Sequence, residues 1–292
     1  MKPELVWAVE AELGEGPAWL PREGALRFVD IKRGFLHRFV PETGACETLD
    51  VGGLPSFILP QAGSGLIVGS QNALHRLEGD QLGAVIARVE MPGHNRTNDA
   101  TVDAQGRIWF GTMDDEEQQP TGQLYCLDQA GLHAMGQDAV VTNGPAVTAD
   151  GQCLYHVDSG SRQIWRLGLG EGPAICSREL FQQLSEAEGY PDGVVLDSEG
   201  CLWVALWDGW AVRRYSPQGD LLCQIDFPCA RVTKIAFGGP ELRTAYVTTA
   251  RTGLDDAALA AQPLAGALFA FDAPVAGLPL PEAQLSVEKV SQ

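Results

Sequence analysis

An all-β fold, a six-bladed β-propeller with four antiparallel strands per blade, is predicted by three observations. Short apolar runs are joined by glycine-bearing turns, the unit recurs every 39 to 48 residues, and helical periodicity is nearly absent. The recurrence is clearest in four segments: EGPAWLPREGALRFVD from Glu15, NDATVDAQGRIWFGTM from Asn98, NGPAVTADGQCLYHVD from Asn143 and DGVVLDSEGCLWVALW from Asp192. Each has a polar leader, a short apolar run, a turn with Asp or Glu before Gly, and a run rich in aromatic and β-branched residues. Such runs read as antiparallel hairpins.

The second strands centre near Phe28, Ile67, Trp109, Tyr155, Trp203 and Tyr246. Further strands follow in FLHRFVPETG, GQLYCLDQAG, QIWRLGLGEG and AVRRYSPQGD, so a repeat holds about four. A lone sheet of this size cannot bury both faces, whereas radial packing covers the faces and leaves only short edges. The remaining strand, VWAVEAEL, is expected to close the ring with the C-terminal blade. Helix is expected only near Leu180 to Glu188 and Asp255 to Ala261. No linker or low-complexity stretch interrupts residues 1–292, which read as one domain.

The chain is 45% apolar and carries a formal net charge of -18. So acidic a surface, with no Lys/Arg cluster, disfavours nucleic acid and anionic membranes. The seven cysteines are scattered and form no CxxC, which reads as reduced thiols. The N-terminal stretch has acidic residues where a signal peptide needs an apolar core, and PLAGALFAFDAPVAGLPLP carries Asp272 and several prolines. A cytoplasmic location with no membrane partner and no obligate protein partner is expected. No GxSxG elbow occurs and none of the five histidines has HExxH spacing. The tryptophans are expected to pack between blades, with Trp207 and Trp210 the two most inclined to face a cleft.

In a propeller the first strand of each blade lines the central channel. Glu15, Asn98, Asn143 and Asp192 all start such strands, so they converge at one mouth as an oxygen-rich site. Taken singly, an Asn or Asp beside Gly can also serve only to hold a turn.

Five ordered blocks identify a resemblance: LGEGPAW, NRTNDATVDAQGRIWFGTM, TNGPAVTADG, YPDGVVLDSEGCLWVALWDG and VTKIAFGGPELRTAYVTTA. The chain resembles the SMP30/gluconolactonase/regucalcin family, and within it the bacterial sugar lactonases of the xylonolactonase and arabinonolactonase type. The resemblance implies that Glu15, Asn143 and Asp192 bind a divalent cation at the channel mouth. It also implies that Arg96, Asn98 and, in the loop DDEEQQPTG, Glu116 contact the sugar. The implied substrate is a small sugar lactone, a pentono- or hexono-lactone. Two carboxylates and an amide oxygen make a hard set suited to Ca²⁺, Mg²⁺ or Mn²⁺, with Zn²⁺ or Fe²⁺ less characteristic. A cation there would polarise the lactone carbonyl and activate water, with Asp192 both ligand and general base. A related propeller hydrolase of other esters or organophosphates and a non-catalytic calcium-binding propeller are the alternatives.

Overall fold

In the computed structural model, which describes residues 1–285, the strands form six four-stranded antiparallel sheets. Their innermost strands are Gly14–Leu20, Pro55–Gln61, Asn95–Val102, Thr142–Val147, Tyr190–Leu196 and Val232–Gly238, which begin blades one to six. In blades one to five each next strand pairs outward in chain order. The expected second-strand residues, from Phe28 to Tyr246, all fall in the second strand of their blade.

Blade six closes the ring. Its outermost strand is Glu4–Trp7, which pairs with Leu268–Asp272 from the other end of the chain. Ends stitched in this way leave no blade to unpeel alone.

The turn chemistry explains why the hairpins form. Asp103 accepts hydrogen bonds from the Gln105 and Arg107 amides and from the Trp109 indole, and Gly106 between them takes the left-handed backbone the turn requires. Blade five repeats the device, with Asp197 accepting from the Glu199 and Cys201 amides and from Trp203. The carboxylate before each glycine thus ties its turn to the tryptophan of the following strand.

The core lies between blades. Trp203 packs edge-on against Phe237 of blade six at 5.8 Å, and Phe57 meets Phe110 across blades two and three at 6.2 Å. Trp109 and Trp203 are fully buried, as their apolar, β-rich context predicts. Among the described residues helix is confined to Asp256–Ala261, capped by Asp255, and a single turn at Glu186–Glu188. The expected helix near Leu180 is corrected: Ile175–Gln183 is the outer strand of blade four, an edge strand with Cys176 to Leu180 exposed in succession.

Past the sixth blade, residues 274–285 cross the far mouth of the channel. Gly277 and Leu278 donate to Leu242 and Leu196 on one side, and Ala283 and Gln284 donate to Pro60 and Gly106 on the other. Leu278 to Pro281 roof an apolar cavity of about 230 Å³ inside the ring.

Candidate active site

The opposite mouth opens into a cavity of about 670 Å³ whose wall includes Glu15, Arg96, Asn98, Asn143 and Asp192. A shared backbone irregularity brings them there. In blades one, three, four and five the inner strand holds one residue more than its partner, after Glu15, Thr97, Asn143 and Pro191. Such a bulge bends the strand and re-aims its side chains. Glu15 and Asn143 are the last paired residues before it, whereas Asn98 and Asp192 are its first unpaired residues. The common leader position seen in the sequence therefore resolves into two places one residue apart.

All five side chains are buried, none more than 7% exposed. Asn98 sits at the centre of their network. Its amide nitrogen donates to Asn143 Oδ1 at 2.9 Å and to the Thr142 carbonyl at 2.8 Å, and its oxygen accepts from Arg96 Nη1 at 2.6 Å. Both of its amide hydrogens are thus spent on protein, which leaves one lone pair for a ligand. Asn143 is steadied from its other end by donating to Ser159 at 3.0 Å, and Ser159 donates to the Pro191 carbonyl beside Asp192.

Arg96 spends Nε on Asp115 at 2.6 Å and Nη1 on Thr97 and Asn98. No acceptor among the described residues is paired with Nη2, so Arg96, which lines the cavity, keeps two donors unspent. Asp115 also accepts from Lys32 at 2.7 Å, a link from blade three to blade one across the mouth.

Within the acidic loop, Asp114 turns inward and holds the backbone amides of Glu116, Gln118 and Gln119. Asp115 and Glu117 then line the cavity. Glu116 lies exposed between them and is not part of the cavity wall. Trp207 and Asp208 also line the cavity, while Trp210 is 44% exposed at the surface.

Electrostatics single out the two carboxylates. Burial, followed by the charge of Asp99, pushes Glu15 up to about 8 despite Lys234, the Gly16 amide and Arg96. Burial, then Glu15 and Asp99, hold Asp192 well above its usual range. Asp192 makes no hydrogen bond among the described residues, and Glu15 accepts only from the Gly16 amide at 2.7 Å. Two buried carboxylates that repel each other, with an oriented amide oxygen in the same cavity, fit a hard divalent cation. Among the described residues no three His, Cys, Asp or Glu side chains gather as a metal site; the expected set has two carboxylates and the Asn143 amide oxygen.

Trp207 faces the cavity as expected, whereas Lys32, Asp115, Glu117 and Ser159 were missed by sequence reasoning. Only Asp115 and Glu117 carried a signal, as members of the acidic run.

The family description "SMP-30/Gluconolactonase/LRE-like region" matches residues 13–251. The chain is 37% identical over 263 residues to 6-deoxy-6-sulfogluconolactonase of Pseudomonas putida, covering 88% of this chain and 90% of that protein. It is 35% identical over 275 residues to a pentonolactonase of Haloferax volcanii, covering 91% and 93% respectively. Among solved structures, a calcium-binding protein, regucalcin, from Agrobacterium tumefaciens superposes with a TM-score of 0.92 at 27% identity, covering 96% of this chain and 97% of that one.

Proposed function

The chain belongs to the SMP-30/gluconolactonase/LRE-like family, and from that premise we propose that it hydrolyses a sugar aldonolactone, a pentono- or hexono-lactone, to its aldonic acid. The observation that carries the reading is the meeting of Glu15, Asn143 and Asp192 with the unspent Arg96 Nη2 in one cavity. A divalent cation held by Glu15, Asn143 and Asp192 would supply Lewis acidity for the lactone carbonyl and make nearby water more acidic.

The protein groups divide the remaining work. Asp192, free of hydrogen-bond donors, accepts the proton of the attacking water as its oxygen bonds to the ring carbonyl carbon. That proton returns to the ring oxygen as the carbon–oxygen bond breaks, giving the hydroxy acid. Arg96 Nη2 donates to a substrate hydroxyl or to the carbonyl oxygen as charge builds on it. Asn98 holds Arg96 and Asn143 in register. Asp115, Glu117 and Asp208 at the rim offer acceptors to the outer hydroxyls of a polyol.

The test is a panel of aldonolactones, corrected for spontaneous opening, assayed after chelation and after metal add-back. Activity should vanish with chelator, return with the cation, and be lost in Asp192→Ala while the fold is retained. Near-wild-type turnover by that variant would overturn the assignment.

A further inference from the structure

Below the floor of the cavity an ion pair crosses the channel. Lys234 rises from the inner strand of blade six and Asp99 from that of blade three, on the opposite side of the ring. The Lys234 ammonium donates to Asp99 Oδ1 and, at 3.3 Å, to the Ala100 carbonyl. Both residues are buried, at 6% and 1% exposure, and Asp99 Oδ2 has no hydrogen-bond partner among the described residues.

The path of the lysine is built into the neighbouring blade. Its stem passes Gly193, where a Cβ would stand 2.5 Å from Lys234 Cγ and 2.8 Å from the Thr233 carbonyl. Glycine directly after Asp192 is therefore what lets Lys234 reach the axis. Neither member of the pair hydrogen-bonds to Glu15 or Asp192, yet both act on them through space, with opposite signs. The buried axis thus carries three carboxylates and one ammonium, while Arg96 is already engaged by Asp115.

We propose that Lys234 is a resident cation that neutralises Asp99, so that the carboxylates of Glu15 and Asp192 present themselves to a single divalent ion. It is a positioning residue that sets the affinity of the cation site. The inference rests on the reading that Glu15, Asn143 and Asp192 hold a divalent cation. It makes the two halves of the pair act in opposite directions. Without the ammonium, Asp99 adds its charge to the two carboxylates above and draws the divalent ion in. Without the Asp99 charge, the ammonium turns on Glu15 and Asp192 and competes with the ion.

The experiment is calorimetric titration of MnCl₂ and CaCl₂ into the metal-stripped full chain. Lys234→Met should bind tighter by about a hundredfold or more and Asp99→Asn weaker by a similar factor, since one charge several ångströms from a divalent ion at an effective dielectric near 20 is worth at least that much. Lys234→Met/Asp99→Asn should return to within about threefold of wild type, because the charge is again balanced. Lys234→Arg should stay close to wild type. Removing one partner of a buried pair weakens the fold. The double variant is therefore the control for folding, and thermal unfolding with and without metal reads affinity in a single variant too fragile for calorimetry. Shifts of the two single variants in the same direction, or no shift in either, overturn the inference and leave the functional reading standing. Failure of wild type to bind either ion overturns both.

Discussion

Asn98 donates its amide to the side-chain oxygen of Asn143 at 2.9 Å, across the boundary between the third and fourth blades. The same side chain orients Asn143, the proposed cation ligand, and, through its oxygen, Arg96, the proposed substrate contact. Asn98→Ala should therefore weaken cation binding and substrate capture together. Losing a hydrogen bond to a charged group costs about 1.5–3 kcal/mol, so kcat/KM should fall about ten- to hundredfold. Calorimetry and steady-state kinetics on one preparation check the coupling, and a change in only one of them would break it.

Arg96→Ala removes the two unspent donors and also releases Asp115. The expected result is a fall in kcat/KM of about tenfold or more, carried largely by KM. Arg96→Lys keeps the charge without the planar fork and should recover only part of the loss. A variant with unchanged kcat/KM across the lactone panel would remove Arg96 from the site.

Cation binding should depend on pH with a definite sign. Glu15 ordinarily titrates at 4.5 and is pushed up to about 8, so the native protein keeps a proton that the unfolded chain has lost. The metal-free protein thus loses stability as the pH climbs through that window and levels off above it, and Asp192, shifted in the same direction, steepens the trend. A bound cation displaces those protons, so the gain in Tm on adding MnCl₂ should widen from about pH 5 to about pH 8. Thermal unfolding in chelator and in metal measures it directly, and a constant gain would contradict the shift.

The rim argues for a neutral polyol. Lys32 and Arg96 share one carboxylate, Asp115, and Arg231 pairs with Asp208 at 3.1 Å, while Glu117 adds a further acidic side chain to the cavity wall. A sulfonate, as in the name of the Pseudomonas putida relative's substrate, would meet those charges. An unsubstituted hexonolactone should be preferred over its 6-sulfo analogue by about tenfold or more in kcat/KM, and more strongly at low salt. Equal or reversed preference would show a cationic subsite in place of the acidic rim.

The architecture was legible because it is written in short-range terms. Turn glycines such as Gly106 and Gly200 and the second-strand aromatics recur at nearly fixed distance, and radial packing is the arrangement that hides so many small sheets. Convergence of Glu15, Asn98, Asn143 and Asp192 on one cavity followed from that ring. What escaped notice depends on how the backbone departs from regular pairing. The bulges put Asp192 and Asn98 one ladder position past Glu15 and Asn143, although their spacing to the turn glycine suggested a single frame. In the acidic loop, Asp114 gathers three amides, and that knot turns Asp115 and Glu117 toward the cavity with Glu116 outside. Lys32 and Asp115 lie 83 positions apart, and Lys234 and Asp99 lie 135 apart. Pairings across a ring leave no periodic trace in the chain.

The span of residues 274–285 across the far end turns a would-be tunnel into a cul-de-sac, and the Lys234–Asp99 bridge walls it off again higher up. Reactant and product must then pass through one doorway, in turn. For the proposed hydrolysis, the anionic product leaves past Glu117, whose like charge favours outward passage, so the vestibule acts as an exhaust as well as an entrance.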